Sequence, residues 1–112
     1  MPATKIPVLT LTVVLAATIG ENIAVTKAGA LPGAGVRIFG VTDYGGDAND
    51  SVAVDTMGTT IGTAGAAISE DDDLEVTAAG KFITKTTGIV VAKAMQAAGA
   101  DGDKLEVFLL PK

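Results

Sequence analysis

Along the chain, short apolar runs alternate with polar, glycine-rich breaks. In PVLTLTVVL, residues 7–15, Thr10 and Thr12 alternate with Leu9, Leu11 and Val13. Alternation at period two is the signature of a half-covered strand. Runs rich in Val, Ile and Thr predict strands near residues 8–15, 23–27, 36–42, 51–55, 74–78, 81–84, 88–93 and 104–109, since branched side chains lose little rotamer freedom in the pleated state. Gly29, Gly33, Gly35, Gly45, Gly46, Gly58, Gly80 and Gly102 punctuate these runs, at turns expected to need positive φ. One stretch of helix formers, KAMQAA at residues 93–98, stops at Gly99 and predicts one or two helical turns.

The same order of features occurs twice. A slide of 51 residues lays TVVLAATIGENIAVTKAG (12–29) on TAGAAISEDDDLEVTAAG (63–80) and matches Thr12, Ala16, Val25, Thr26, Ala28 and Gly29 with Thr63, Ala67, Val76, Thr77, Ala79 and Gly80. After a two-residue insertion, Gly46, Asp50 and Val54 meet Gly99, Asp103 and Val107. Each half reads as a small-apolar segment, an acidic turn, [IL]-x-V-T-x-A-G, an apolar strand, a Gly/Asp loop and a closing strand. Two such units, neither able to close a core alone, predict a mainly β, small barrel-like or clip-like (β-tulip-type) domain of two pseudo-repeats, about 9–58 and 60–110, with at most one short helix. Residues 8–112 form the domain, and residues 1–7, MPATKIP, read as an extended N-terminal arm.

The run IPVLTLTVVLAATIG, residues 6–20, also has the look of an export signal or a membrane span. Its 15 uncharged residues between Lys5 and Glu21 fall short of the ~20 needed to cross a bilayer. Pro7 and the alternating threonines fit a secretory h-region poorly. Under the repeat, residues 9–19 are the counterpart of 60–70, an internal segment, so the run is assigned to the fold and cleavage is rejected. Its eight large aliphatics, Ile6, Val8, Leu9, Leu11, Val13, Val14, Leu15 and Ile19, would each forgo ~1.5 kcal/mol if left wet. Alternation lets only about half of them face the domain's own core, so the other face is expected to meet another chain.

Composition narrows the chemistry. The net charge of −5 and pI near 4.4 repel a phosphate backbone and argue against nucleic acid as a partner. The absence of Cys excludes disulfides and thiolate metal sites, and the absence of His removes the usual general base and metal ligand. Ser51 and Ser69 are the only serines, so a nucleophile would need a lysine as its base. DANDS (47–51) imitates the start of an EF-hand loop but has Val52 where Gly is needed and Gly58 where a bidentate Glu is needed. The acidic run with Glu70, Asp71, Asp72, Asp73 and Glu75 reads as a solvated turn, with a Ca²⁺ site as its alternative. GAGVRIFG (33–40) misplaces the third glycine of a dinucleotide loop. Four aromatics, Phe39, Tyr44, Phe82 and Phe108, are too few for a base-stacking platform; Phe39 and Phe108 are assigned to the core. No catalytic residue, cofactor or metal is expected.

Taken together, GENIAVTKAG (20–29), RIFGVT (37–42), SVAVDTMG (51–58), AGAAISEDDDLEVTAAGKFI (64–83) and VVAKAMQAAGADGDKLEVFLLP (90–111) resemble the small capsid decoration, or cement, proteins of tailed bacteriophages. The resemblance spans about residues 8–111, although Val91-Ala92-Lys93 stands where Gly-Ile-Ala is commoner in the family. It implies a mainly β structural protein on the outer surface of the virion head, made in the host cytoplasm without a signal peptide. Its partners would be the major capsid protein and itself, as a homotrimer on local threefold positions, with no membrane partner. The leading segment would make the contact, which singles out Pro2, Ala3, Thr4, Lys5, Ile6, Pro7, Val8, Leu9, Leu11 and Val13. Rival readings are a secreted or surface-displayed small β-protein, a clip-like module binding a carbohydrate or other small ligand, and, least favoured, an enzyme.

Overall fold

The computed structural model describes residues 5–110. Its strands are β1 (Pro7–Val14), β2 (Ala24–Val25), β3 (Gly40–Thr42), β4 (Ser51–Thr63), β5 (Asp73–Val76), β6 (Phe82–Thr84), β7 (Ala92–Ala94) and β8 (Lys104–Leu109), and no helix occurs among the described residues. They join in one nearly closed, barrel-shaped sheet in the order β2-β3-β4-β8-β7-β5-β6, with β1 added alongside β4. Every strand pairing is antiparallel.

β4 is the spine. Its first half carries β1 and β3, and its second half carries β8. The sequence predicts a strand ending at residue 55 and a turn at Gly58; instead β4 is a single strand of 13 residues that runs through both positions. Gly58 bends the strand without breaking it. Its φ is 89°, and a Cβ there would lie 2.6 Å from Ile6 O and Val8 N, so only glycine lets β1 pass this close. Gly33, Gly45 and Gly46 do not adopt the positive φ expected of them.

KAMQAA is not helical. Lys93 and Ala94 belong to β7, Met95 N–H donates to Glu106 O, and the Gln96 side chain accepts from Glu106 N–H. Ala92 and Ala94 are buried opposite Leu109 and Val107, and this ladder outweighs the weak helix preference of the sequence. The predicted strands at 36–42 and 88–93 shrink to 40–42 and 92–94, leaving residues 36–39 and 88–91 outside any ladder.

The apolar interior has two parts. Val13, Leu15, Ile19, Val25, Val52 and Val54 form the smaller, with Ile23 and Phe39 packed against it. The larger draws mostly on residues 64–109, centred on Phe82, Leu74, Val76, Leu105 and Val107, with Ala24, Ile38 and Val41 reaching across. The run at 6–20 therefore supplies three core residues.

Backbone hydrogen bonds recur between the halves. Leu15 N–H donates to Asp50 O as Ala64 N–H donates to Asp103 O, and Ile19 and Gly46 exchange two bonds as Ile68 and Ala98 do. These matches put Leu15 against Ala64, two positions off the 51-residue slide. From Thr26 onward the slide itself holds: Thr26 N–H reaches Ala30 O, and Thr77 N–H reaches Lys81 O. The extra length is taken up in β5, four residues long where β2 has two.

Candidate functional site

β1 lies on the outside of the barrel with its threonines and aliphatics largely in water. Ile6 and Val8 are 73% and 74% exposed, and Leu9, Leu11 and Val14 are also exposed. Of the eight aliphatics in this run, only Val13, Leu15 and Ile19 turn inward. A register shift between Pro7 and Thr10 resets the alternation, so Val8 and Leu9 both remain accessible. Val8 continues into a cleft of about 210 Å³ walled by Met57, Gly58, Phe108 and Leu109. Met57 and Phe108 are exposed. An apolar face of this kind, rimmed by polar residues, is the usual mark of a contact surface.

The sequence-derived contact residues divide in three. Pro2, Ala3 and Thr4 lie outside the described residues. Lys5, Ile6, Pro7, Val8, Leu9 and Leu11 are all exposed, and Val8 lines the cleft. Val13 points into the smaller core instead. Met57 and Phe108 add exposed apolar surface that the sequence reading does not single out. Phe108 was assigned to the core, yet in β8 it is the exposed residue between buried Val107 and Leu109, as strict alternation along LEVFL requires.

Lys5 and Ile6, read as free arm, are tied to the barrel. Ile6 N–H donates to the Thr59 hydroxyl (2.7 Å) and Thr59 N–H to Ile6 O (3.1 Å). The Lys5 ammonium bridges two carboxylates, Asp43 and, at 3.4 Å, Asp55. The Asp55 side chain is fully buried and also accepts from Thr10 Oγ1 (2.8 Å) and Thr60 Oγ1 (2.7 Å). Burial pushes the Asp55 carboxyl upward, but hydrogen bonds from Asp43, Thr60 and Thr10 and the Lys5 charge together hold it below the usual carboxylate range. Asp43 moves the other way, raised by burial and by its bond to Asp55. Burial alone would lower the Lys5 pKa; the bond to Asp43 and the Asp55 charge raise it instead. A paired acid and base of this type invites a catalytic reading, but the Asp55 carboxylate at its centre is closed to solvent. The cluster fastens the leading edge of β1 to β3 and β4.

The acidic loops are turn builders. Asp50 accepts from Asp47 N–H, Asp72 from Ser69 N–H and the Thr84 hydroxyl, and Asp103 from Gly99 and Ala100 N–H. Asn22, Asn49 and Asp71 take the left-handed position that short polar side chains tolerate. Among the described residues no three metal-ligating side chains converge.

No curated protein sequence matches the chain. A family model does, over residues 4–109: nearly the full barrel, including the exposed β1 edge and its Met57–Phe108 extension. An all-β barrel that displays an apolar edge is thereby placed: the chain belongs to the phage cement protein family.

Proposed function

We propose that the protein binds the outer surface of a phage head, lays its β1 face on the major capsid protein and stabilises that lattice. The observation that carries this reading is the exposure of Ile6, Val8, Leu9 and Leu11 along β1 together with the cleft where Val8 meets Met57 and Phe108. A lone domain leaves that surface wet at a loss of roughly 1.5 kcal/mol for each large side chain left uncovered. β1 is also a strand on the outside of the sheet, suited to meeting a partner segment by main-chain pairing. Modest contacts repeated around a closed shell then act together. Assembly as a homotrimer on the shell is part of the same reading and would multiply each contact threefold.

The test is binding to undecorated, expanded heads. Val8→Asp with Met57→Asp alters two exposed side chains, so the thermal midpoint should stay near wild type while affinity falls at least tenfold. Wild-type binding by this variant would overturn the assignment of the face. Particle-by-particle counting of bound copies in multiples of three checks the trimer.

A further inference from the structure

A second groove, sharing no lining residue with the β1 face, has a volume of about 300 Å³ and is walled by residues 37–39 and 89–91, with Lys27 and Leu110 at its margins. Its walls are fixed from below. The Glu75 carboxylate accepts from Thr86 N–H (2.6 Å), Gly88 N–H (3.1 Å) and the Thr86 hydroxyl (3.2 Å). Gly35 N–H donates to Val76 O and Ile89 N–H to Gly35 O. The two loops cross so closely that a Cβ on Gly88 would stand 2.5 Å from Gly35 Cα.

Three observations meet there. First, the segments have strand-forming sequence, Val36-Arg37-Ile38-Phe39 and Ile89-Val90-Val91, but only their ends are paired, Phe39 N–H to Val25 O, Ile89 N–H to Gly35 O and Val91 N–H to Leu74 O. Among the described residues, Arg37, Ile38 and Val90 make no backbone hydrogen bond, although Ile38 is buried; unpaired main-chain groups beside apolar surface are costly. Second, apart from Thr26, Lys27 and Arg37 the lining is aliphatic and aromatic. Third, in a chain of net charge −5, the other described cations are engaged: Lys5, Lys81 and Lys93 in ion pairs, Lys85 and Lys104 in hydrogen bonds. Lys27 and Arg37 have neither among the described residues. Both stand at this groove, Lys27 with its ammonium 5.8 Å from the centre of the Phe39 ring.

We propose that this groove docks an extended segment of a partner protein in which a carboxylate is flanked by aliphatic side chains. The segment pairs its main chain with Arg37, Ile38 and Val90, buries its aliphatics against Ile38, Phe39 and Ile89, and places its carboxylate between Lys27 and Arg37. The site is independent of the β1 face, so a cement protein built this way holds two partner segments at once.

The probe is a blocked, fluorescent peptide with valine, glutamate and valine at alternate positions and serines between them. A control carries lysine for glutamate. The full-length protein should bind the glutamate peptide at least tenfold more tightly than the control, with the difference shrinking in 0.5 M salt as screening shortens the reach of the charges. Lys27→Glu with Arg37→Glu should reverse the preference, while Lys81→Glu should leave it intact. In the wild-type protein, bound peptide should slow amide exchange at Arg37, Ile38 and Val90, a readout that needs no variant. Equal binding of the two peptides, or unchanged exchange at those amides, overturns the proposal. So does self-association that is lost in the double reversal, because a second copy would then be the occupant.

Discussion

Asp55 and Glu75 are both acidic residues closed off from water, yet they are satisfied by opposite means. Asp55 depends on side chains from several elements: Lys5 and Thr10, 50 and 45 residues before it, Thr60 five residues on along β4, and neighbouring Asp43. Glu75 depends on the main chain of one loop, chiefly the Thr86 and Gly88 amides. The first arrangement joins the N-terminal strand to the barrel and can be dismantled one substitution at a time. The second shapes a single loop, and no side-chain replacement short of proline removes its amide donors. A buried carboxylate can thus tie together distant parts of a chain or mould a local turn, according to where its donors come from.

Removing Asp55 should have the largest effect. Asp55→Ala takes the acceptor from two hydroxyls and leaves Lys5 with Asp43 alone, and a loss of about 3 kcal/mol in urea unfolding is expected. Lys5→Met should come next, at about 1 kcal/mol, since Lys5 is partly solvated and the Asp43–Asp55 pair can keep a shared proton. Protection of β1 amides should fall in step, and unchanged β1 exchange would show that the cluster does not hold the strand. Glu75→Gln keeps one acceptor oxygen; it should lower the thermal midpoint less than Asp55→Ala does and speed exchange at Gly88 rather than in β1. Exchange rising equally in both places would erase the distinction drawn here.

The smallest effect is the pH dependence near neutrality, and its sign differs within the first cluster. Asp55 and Glu75 have lowered pKa values, so their stabilisation is present above their unfolded values and lost as pH falls through the still lower folded ones. Asp43 is raised, so the folded state takes up its proton first and gains slightly as pH drops toward the unfolded carboxylate value. Stability should hold or rise a little from pH 7 to about 5, then fall steeply below about 4. Asp43→Asn should remove the slight rise and leave the steep fall, a difference readable in urea midpoints across pH.

Much of the barrel was legible because period-two alternation reports which face of a strand is covered. That rule found β1, while Val-, Ile- and Thr-rich composition placed β5, β6 and β8 closely; alternation followed strictly also turns Phe108 outward. It failed where the outcome depends on a partner strand: residues 36–39 and 88–91 have strand composition, but pairing is a tertiary event. Alanine at 92 and 94 misled in the same way. Of the exposed apolar face, the aliphatic surplus of β1 could be read from the sequence. Met57 could not, because Gly58 was taken as the end of a strand rather than a bend within one. The Lys5 anchor was invisible too, since nothing local to MPATKIP announces a carboxylate 50 residues away.

The uninterrupted path of β4 has a mechanical side. Because β1 lies antiparallel along its first half and β8 along its second, a pull on the β1 edge is passed along one continuous backbone to the far half of the barrel. Rows of hydrogen bonds standing across the direction of pull share such a load and must give way together, instead of peeling apart singly. A strand bent at one glycine but never cut therefore lets a chain of 112 residues act as a strap.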